Sequence, residues 1–206
     1  MVTKLNGQFF GSNSYIIKNN NSEALIIDAC VSAEEIKKYV KGFKVVAVLL
    51  THLHFDHSYF LNEIITEFKC PIYVSEKAKK YLLNADLTLS NAFNVNFVLP
   101  TNFNYLTNQQ LNLGSYSIKV FLTPGHSPDS ACFLIGSMLF CGDTLFLDAI
   151  GRTDFKLSSV SDMLNSLKLL KDVKFDIALS GHGKQSSFSD QQKNIEYFID
   201  LLTNLN

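Results

Sequence analysis

The sequence lacks the features that would place it among membrane, secreted or nucleic-acid-binding proteins. No apolar run approaches the roughly 20 residues that span a bilayer, and residues 1–8 show no basic start followed by a long apolar stretch, so no signal peptide is expected. The formal net charge is −1 with acidic and basic residues intermixed, which excludes a basic surface for nucleic acid. No linker or repeat divides the chain, so we expect one domain over residues 1–206.

Cysteine is scarce, and no two cysteines are spaced as a pair. Cys30, Cys70, Cys132 and Cys141 form no C-x-x-C motif, and each lies in or beside an apolar run. This pattern is typical of small reduced core residues in a cytosolic protein. We therefore predict a cytoplasmic protein without a disulfide framework, and a cysteine metal ligand is only a minor alternative.

Arginine is nearly absent, since Arg152 is the single arginine among 18 basic residues. Its planar guanidinium group binds carboxylates and phosphates through two parallel hydrogen bonds, which lysine cannot reproduce. Two interpretations stay open. Arg152 pairs with Asp154 and braces the loop, which we slightly favour, or it contacts an anionic substrate directly.

Histidine is also scarce, yet its placement is the strongest signal in the chain. Three of the five histidines fall in the run Thr-His-Leu-His-Phe-Asp-His as His52, His54 and His57. The others are His126 in Thr-Pro-Gly-His-Ser-Pro and His182 in Ser-Gly-His-Gly. Neutral imidazole is the commonest biological metal ligand and is costly to bury without a partner. The pattern predicts a chain built around metal.

Short strands alternate with helices in the predicted secondary structure. Strands are expected at residues 14–18, 24–28, 45–50, 71–74, 116–122, 131–135, 138–141 and 176–180, the first two as a hairpin. Helices are expected at residues 32–41 with Ser32 as the cap, and at 58–68, 75–83, 158–170 and 190–202. Each candidate ligand follows a strand end, where α/β proteins place their active sites.

The segment 87–118 contains no charged residue and several aromatic ones. We interpret it first as a connecting segment whose aromatic side chains pin it to the core. The alternatives are a lid, an apolar wall of the substrate pocket or a subunit interface.

The order of the candidate ligands resembles that of the metallo-β-lactamase superfamily over essentially the whole chain. The matching residues are His52, His54, Asp56, His57, His126, Asp143 in Cys-Gly-Asp-Thr, and His182 in Gly-His-Gly. The resemblance implies an α/β fold, namely a four-layer αββα sandwich of two mixed sheets flanked by helices. The metals would lie at one edge of the sheets.

The same residues divide into two expected metal sites. The first ion would be held by the imidazoles of His52, His54 and His126. Three protein ligands leave a coordination position for water, as in catalytic zinc sites. The other ion would be held by Asp56, His57 and His182. Asp143 would bridge the two ions, roughly 3.5–4 Å apart. Zinc is the default metal, while iron and manganese suit the same donors.

Asp28 ends a strand and, by the resemblance, corresponds to the aspartate that braces the histidine loop. Such carboxylates fix the tautomer and orientation of imidazoles that bind metal. The family usually follows this aspartate with one residue and a glycine, where this chain has Ala29 and Cys30.

The segment Gly-Arg-Thr-Asp-Phe at residues 151–155 resembles the small glyoxalase II-like hydrolases. The resemblance implies cleavage of a small thioester or related acyl compound by a hydroxide that bridges the metals, with Asp56 and Asp143 as catalytic residues. Glyoxalase II proper carries at this position a segment with Lys and Tyr that helps to bind glutathione, and it has an added C-terminal helical region. We expect most of that region to have no counterpart in this sequence, so the resemblance does not extend to glutathione recognition. The expected partner is a small molecule, and the oligomeric state, including a homodimer, stays open.

Other activities share parts of the pattern. Persulfide dioxygenases also have the 151–155 signature and would use one iron at His52, His126 and Asp143, which leaves the other candidate ligands without a role. The β-lactamases proper commonly place a cysteine in the second site, where this chain has Asp143. A non-catalytic metal-binding module is less favoured, because structural sites are closed by four ligands.

Overall fold

Two mixed sheets form the centre of the protein in the computed structural model, which describes residues 1–84 and 86–204. The first sheet has the order β1-β2-β3-β4-β5-β6. Its strands are β1 (Val2–Asn6), β2 (Asn13–Lys18), β3 (Glu23–Ile27), β4 (Lys44–Leu49), β5 (Ile72–Ser75) and β6 (Asn104–Leu106). Strands β1 to β3 are antiparallel, which confirms the predicted hairpin, and β3 to β6 are parallel.

The second sheet has the order β12-β11-β10-β9-β8-β7. Its strands are β7 (Gln110–Leu113), β8 (Tyr116–Leu122), β9 (Ala131–Ile135), β10 (Met138–Gly142), β11 (Ile177–Ser180) and β12 (Ser186–Ser187). Only β10 and β11 pair in parallel among the described residues of this sheet. Consequently β8, β10 and β11 run in one direction and deliver their following loops to the same edge.

Helices cover the outer faces of both sheets, and the short α2 lies at the edge that carries the candidate ligands. They are α1 (Ala33–Val40), α2 (Phe55–Ser58), α3 (Leu61–Phe68), α4 (Val160–Lys171) and α5 (Phe188–Asn204), with a 3-10 helix at Glu76–Lys80. Ser32 caps α1 by accepting the amide of Glu35, as predicted, and Ser159 caps α4 in the same way. In the described residues, no helix combines the length and apolar character needed to cross a bilayer.

Three apolar clusters hold the layers together. The central cluster joins the sheets through residues such as Ile27 and Leu49 of the first and Phe133 of the second. The outer clusters bury Ile36 of α1 against the first sheet and Leu167 of α4 against the second. The predicted αββα sandwich is therefore confirmed. The four cysteines are buried thiols, as predicted.

Two predicted helices differ from the structure. The helix expected at residues 58–68 is divided at Tyr59 and Phe60, because the amide of Phe60 donates to the carbonyl of Ala29 instead of continuing the helix. The helix expected at residues 75–83 is a shorter 3-10 helix. At its end the amide of Tyr81 donates to the carbonyl of Ala78, three residues earlier, as in a 3-10 helix.

Sequence patterns missed four strands: β1, β6, β7 and β12. Strands β6 and β7 lie within the segment 87–118, which was expected to be a connection. All four are short or at an edge of a sheet, where a strand is partly solvated and its apolar alternation is weak. These strands form because a neighbouring strand pairs with them, and their own residue patterns do not predict them.

Candidate metal centre

The seven predicted ligands converge on one edge of the sandwich. They lie on the segments that follow β4, β8, β10 and β11, with Asp56 and His57 in the short helix α2, and all except His182 are buried. Three groups each bring their donor atoms within 4.8 Å of one another. These groups are His52, His54 and His126; His52, His57 and Asp143; and Asp56, His57 and His182. The first and third are the two sets that the sequence suggested.

Asp143 lies between the two sets. Its Oδ2 is 3.5 Å from Nε2 of His126 and 3.4 Å from Nε2 of His182, while its Oδ1 is 3.5 Å from Nε2 of His57. One carboxylate thus reaches both sets of donors. Gly181 permits this approach, because a Cβ atom there would overlap Oδ1 of Asp143 and lie 2.8 Å from Cε1 of His57.

Asp28 fixes the orientation of two imidazoles. Its carboxylate accepts hydrogen bonds from Nδ1 of His57 at 3.0 Å, and from the amide and hydroxyl of Thr51 at 2.7 and 2.8 Å. Since the Thr51 hydroxyl donates to Asp28, its oxygen accepts from Nδ1 of His52 at 3.1 Å. Both rings carry the proton on Nδ1 and direct Nε2 inward.

Main-chain carbonyls orient two further imidazoles. The carbonyl of Arg152 accepts from Nδ1 of His126 at 3.0 Å, and that of Phe10 accepts from Nδ1 of His182 at 3.2 Å. A carbonyl can only accept, so both rings donate from Nδ1 and direct Nε2 into the cavity. His54 differs from the other four, because its Nδ1 faces inward, 3.0 Å from Nε2 of His126.

Two atoms at the centre lack the partner that burial would require. Within residues 1–84 and 86–204, neither Nε2 of His52 nor Oδ1 of Asp143 has a hydrogen-bond partner. A buried polar atom left this way costs about 1–3 kcal/mol. Burial lowers the pKa of His52 well below its ordinary value and that of His54 to about 3. These imidazoles are neutral and offer the lone pairs that a metal ion binds.

Around the second donor set, the carboxylates of Asp56 and Asp143 favour positive charge. Burial lowers the pKa of His57 and of His182, but the carboxylates of Asp56 and Asp143 raise both by more. The net pKa lies well above the ordinary value for His57 and at about 9 for His182. Divalent cations would supply the charge that these carboxylates attract. The donor set therefore fits two metal ions.

A cavity of about 360 Å³ opens beside these residues. Its wall carries the apolar side chains of Phe10, Phe55, Leu89, Phe93 and Phe146. The sequence did not single out Phe10, Phe55 or Phe146. Leu89 and Phe93 belong to the segment 87–118, so part of this segment forms a pocket wall while its Phe103 packs into the core.

Arg152 lines the same cavity and is bound to Asp154. Its Nε and one terminal nitrogen donate to the two carboxylate oxygens at 2.9 and 2.7 Å, and its guanidinium lies 4.7 Å from the centre of the Phe155 ring. Both partners of the pair are largely exposed to solvent.

Comparison with known proteins identifies the family. Residues 7–182 match the Metallo-beta-lactamase superfamily. YqgX, a probable metallo-hydrolase of Bacillus subtilis, is 31% identical over 88% of this chain and 89% of its own length. A hydroxyacylglutathione hydrolase of Buchnera aphidicola is 33% identical over 77% of this chain and 56% of its own.

A solved structure agrees with this result. The crystal structure of the BLEG-1 B3 metallo-beta-lactamase superposes with a TM-score of 0.87 at 29% identity, covering 96% of this chain and 99% of that one. The chain therefore belongs to the metallo-beta-lactamase superfamily. Its relatives among the metallo-hydrolases support a metal-dependent hydrolase, as the sequence predicted.

Proposed function

We propose that this chain is a binuclear metal-dependent hydrolase that cleaves a small thioester or a related acyl compound. The observation that carries the proposal is the position of Asp143, whose carboxylate contacts His126 of one donor set and both His57 and His182 of the other. We assign two divalent ions to these sets, with zinc as the default and iron or manganese as alternatives.

The two ions would supply a hydroxide nucleophile at neutral pH and positive charge that polarises the substrate carbonyl. His52, His54 and His126 would hold the first ion, and His54 and His126 also line the cavity. Asp56, His57 and His182 would hold the second.

Asp56 has a further role in this proposal. It lines the cavity, and its Oδ2 lies 3.2 Å from Nε2 of His182. A carboxylate at this position can accept a hydrogen bond from the attacking water and orient it towards the substrate carbonyl. Asp143 holds the two donor sets at a fixed spacing.

The lining of the cavity favours a leaving group that needs no proton. Among the described residues of the lining, every histidine and carboxylate belongs to the metal-binding sets, and the guanidinium of Arg152 is bound to Asp154. No separate general acid remains. A thiol has a pKa of about 8.5 and leaves readily as the thiolate, whereas an amine must be protonated. This chemistry supports thioester rather than amide cleavage.

The experiment compares several substrates on the metal-loaded protein. Protein loaded separately with zinc, iron or manganese is tested for thiol release from an S-hydroxyacylglutathione and from an uncharged N-acetylcysteamine thioester. In parallel, hydrolysis of a chromogenic β-lactam is followed by absorbance. Oxygen uptake in the presence of a persulfide is followed with an oxygen electrode. We expect thiol release that His126→Ala removes and that Asp200→Asn, an exposed change on α5, leaves intact.

Oxygen uptake on the persulfide without thioester cleavage would overturn the proposal in favour of a dioxygenase. Cleavage of the β-lactam alone would overturn it in favour of a β-lactamase.

A further inference from the structure

The wall of the cavity exposes aromatic surface beside the candidate metal centre. Phe10 and Phe93 are 63% and 45% exposed, and their ring centres lie 5.1 Å apart. Both rings also contact Phe55, at 5.8 and 5.6 Å between centres. Large apolar side chains exposed within a concave site are typical of ligand-binding surfaces. We call Phe10 and Phe93 the aromatic wall.

Phe10 is held at this position by a costly backbone conformation. Its φ angle is +52°, in the left-handed region that aromatic residues rarely adopt, and Gly11 follows at +66°. Such a residue costs on the order of 1 kcal/mol and persists where its surroundings enforce it. The conformation places the carbonyl of Phe10 on Nδ1 of His182 and its ring in the cavity wall. One residue thereby links a candidate ligand to the pocket surface.

Apart from the proposed metal ions, the described residues of the lining offer no free cationic side chain to an anionic ligand group. In the described part of the chain, Arg152 is the one arginine or lysine that lines this cavity, and Asp154 occupies both arms of its guanidinium fork. The guanidinium carbon also lies 4.7 Å from the centre of the Phe155 ring. A substrate carboxylate would have to displace Asp154 to be bound.

From these observations we infer that the cavity selects thioesters with an uncharged apolar group, aromatic or branched aliphatic, which packs against Phe10 and Phe93. This substrate class rests on the proposed function and makes it more specific. The cavity of about 360 Å³ is at the small end of ligand pockets, which suits one such group beside the thioester.

The test uses three thioesters of uncharged N-acetylcysteamine, which carry phenylacetyl, acetyl or succinyl groups. We expect kcat/KM to fall in that order on the metal-loaded enzyme. Phe10→Ala and Phe93→Ala should each lower kcat/KM for the phenylacetyl substrate about tenfold, mainly through KM, because each removes one aromatic contact. The acetyl substrate, which is too short to fill the wall, should lose less of its kcat/KM than the phenylacetyl substrate in each variant.

Matched variants separate specificity from damage to the fold. Tyr197→Ala removes an equally exposed aromatic ring from α5, outside this cavity, and should leave all three substrates unchanged. Phe10→Leu keeps an apolar side chain and should retain most of the preference. Metal content and melting temperature are measured for every variant, and we expect both to match the unmodified protein in Phe93→Ala.

The outcomes distinguish the two levels of the proposal. Thiol release without preference for the phenylacetyl group, or with preference for the succinyl group, overturns the substrate class and leaves the hydrolase assignment standing. Absence of thiol release from all three substrates at full metal load overturns both. A preference that survives unchanged in the Phe10→Ala and Phe93→Ala variants also contradicts the role of the aromatic wall.

Discussion

Asp28 accepts a hydrogen bond from Nδ1 of His57 at 3.0 Å, across 29 positions of the chain. Both side chains are almost fully buried. The same carboxylate accepts the amide and hydroxyl of Thr51, so a single residue at the end of β3 positions the start of the histidine loop and its last imidazole. The metal-binding geometry proposed here therefore depends on a residue that does not itself face the cavity.

Asp28→Asn should weaken metal binding while preserving the fold. The amide keeps the size of the carboxylate but replaces one acceptor oxygen with an NH₂ donor. This donor would face a donor of Thr51 or of His57, so one of the hydrogen bonds to Asp28 is lost. Loss of such a supporting contact typically lowers metal affinity or activity 10- to 100-fold, as a rough range. Competition with a chromophoric chelator measures the affinity. Asp200→Asn is the control, and equal affinity in the two variants would show that Asp28 does not orient the ligands.

Asp143→Ala should lose more metal than Asp56→Ala. Asp143 contacts both donor sets, whereas the contacts of Asp56 are to His57 and His182 of one set. We expect less than one ion per chain in the first variant and about one in the second, measured by elemental analysis after gel filtration. Equal metal content in both would argue that Asp143 is not a bridging ligand.

Arg152→Lys and Asp154→Asn should have similar effects, because each breaks the same pair. Both side chains are largely exposed, so we expect little change in melting temperature. Activity should fall in both, since the pair holds the segment whose carbonyl orients His126. The double variant should be no worse than either single one. A rise in KM for an anionic thioester in Arg152→Lys alone would indicate direct substrate contact instead.

Asp129→Asn should become relatively more stable as the pH rises. Burial raises the pKa of Asp129 to about 6, and in the described residues its Oδ2 has no hydrogen-bond partner. Between the unfolded pKa of about 3.9 and the folded value, the folded protein binds more protons, so this group lowers stability with increasing pH. Urea unfolding of both proteins should show the variant gaining about 1 kcal/mol relative to the unmodified protein between about pH 5 and pH 8. A difference that is independent of pH would contradict this account.

The parts of the site that sequence could predict are those encoded by local spacing. His52, His54 and His57 follow directly after an apolar strand, so their proximity depends on a few neighbouring residues. His126, Asp143 and His182 were placed by strand ends that the apolar runs mark, and the structure brings all of them to one edge.

The parts that sequence could not predict depend on distant contacts. The role of Phe10 arises from a hydrogen bond to a residue 172 positions away, and nothing in its neighbourhood signals it. The break between α2 and α3 depends on the carbonyl of Ala29, which is remote in sequence from Phe60. Such tertiary contacts override local helix propensity. The single-domain organisation and the cytoplasmic location stay predictions.

The number of metal ions per chain decides whether the site is binuclear. About two ions per chain are expected, because Asp143 contacts members of both three-residue donor sets. Protein purified without chelator and reconstituted with zinc, iron or manganese should show this ratio by elemental analysis, and the second ion should be required for thiol release. A single bound ion that supports full activity would contradict the binuclear site and with it the proposed reaction.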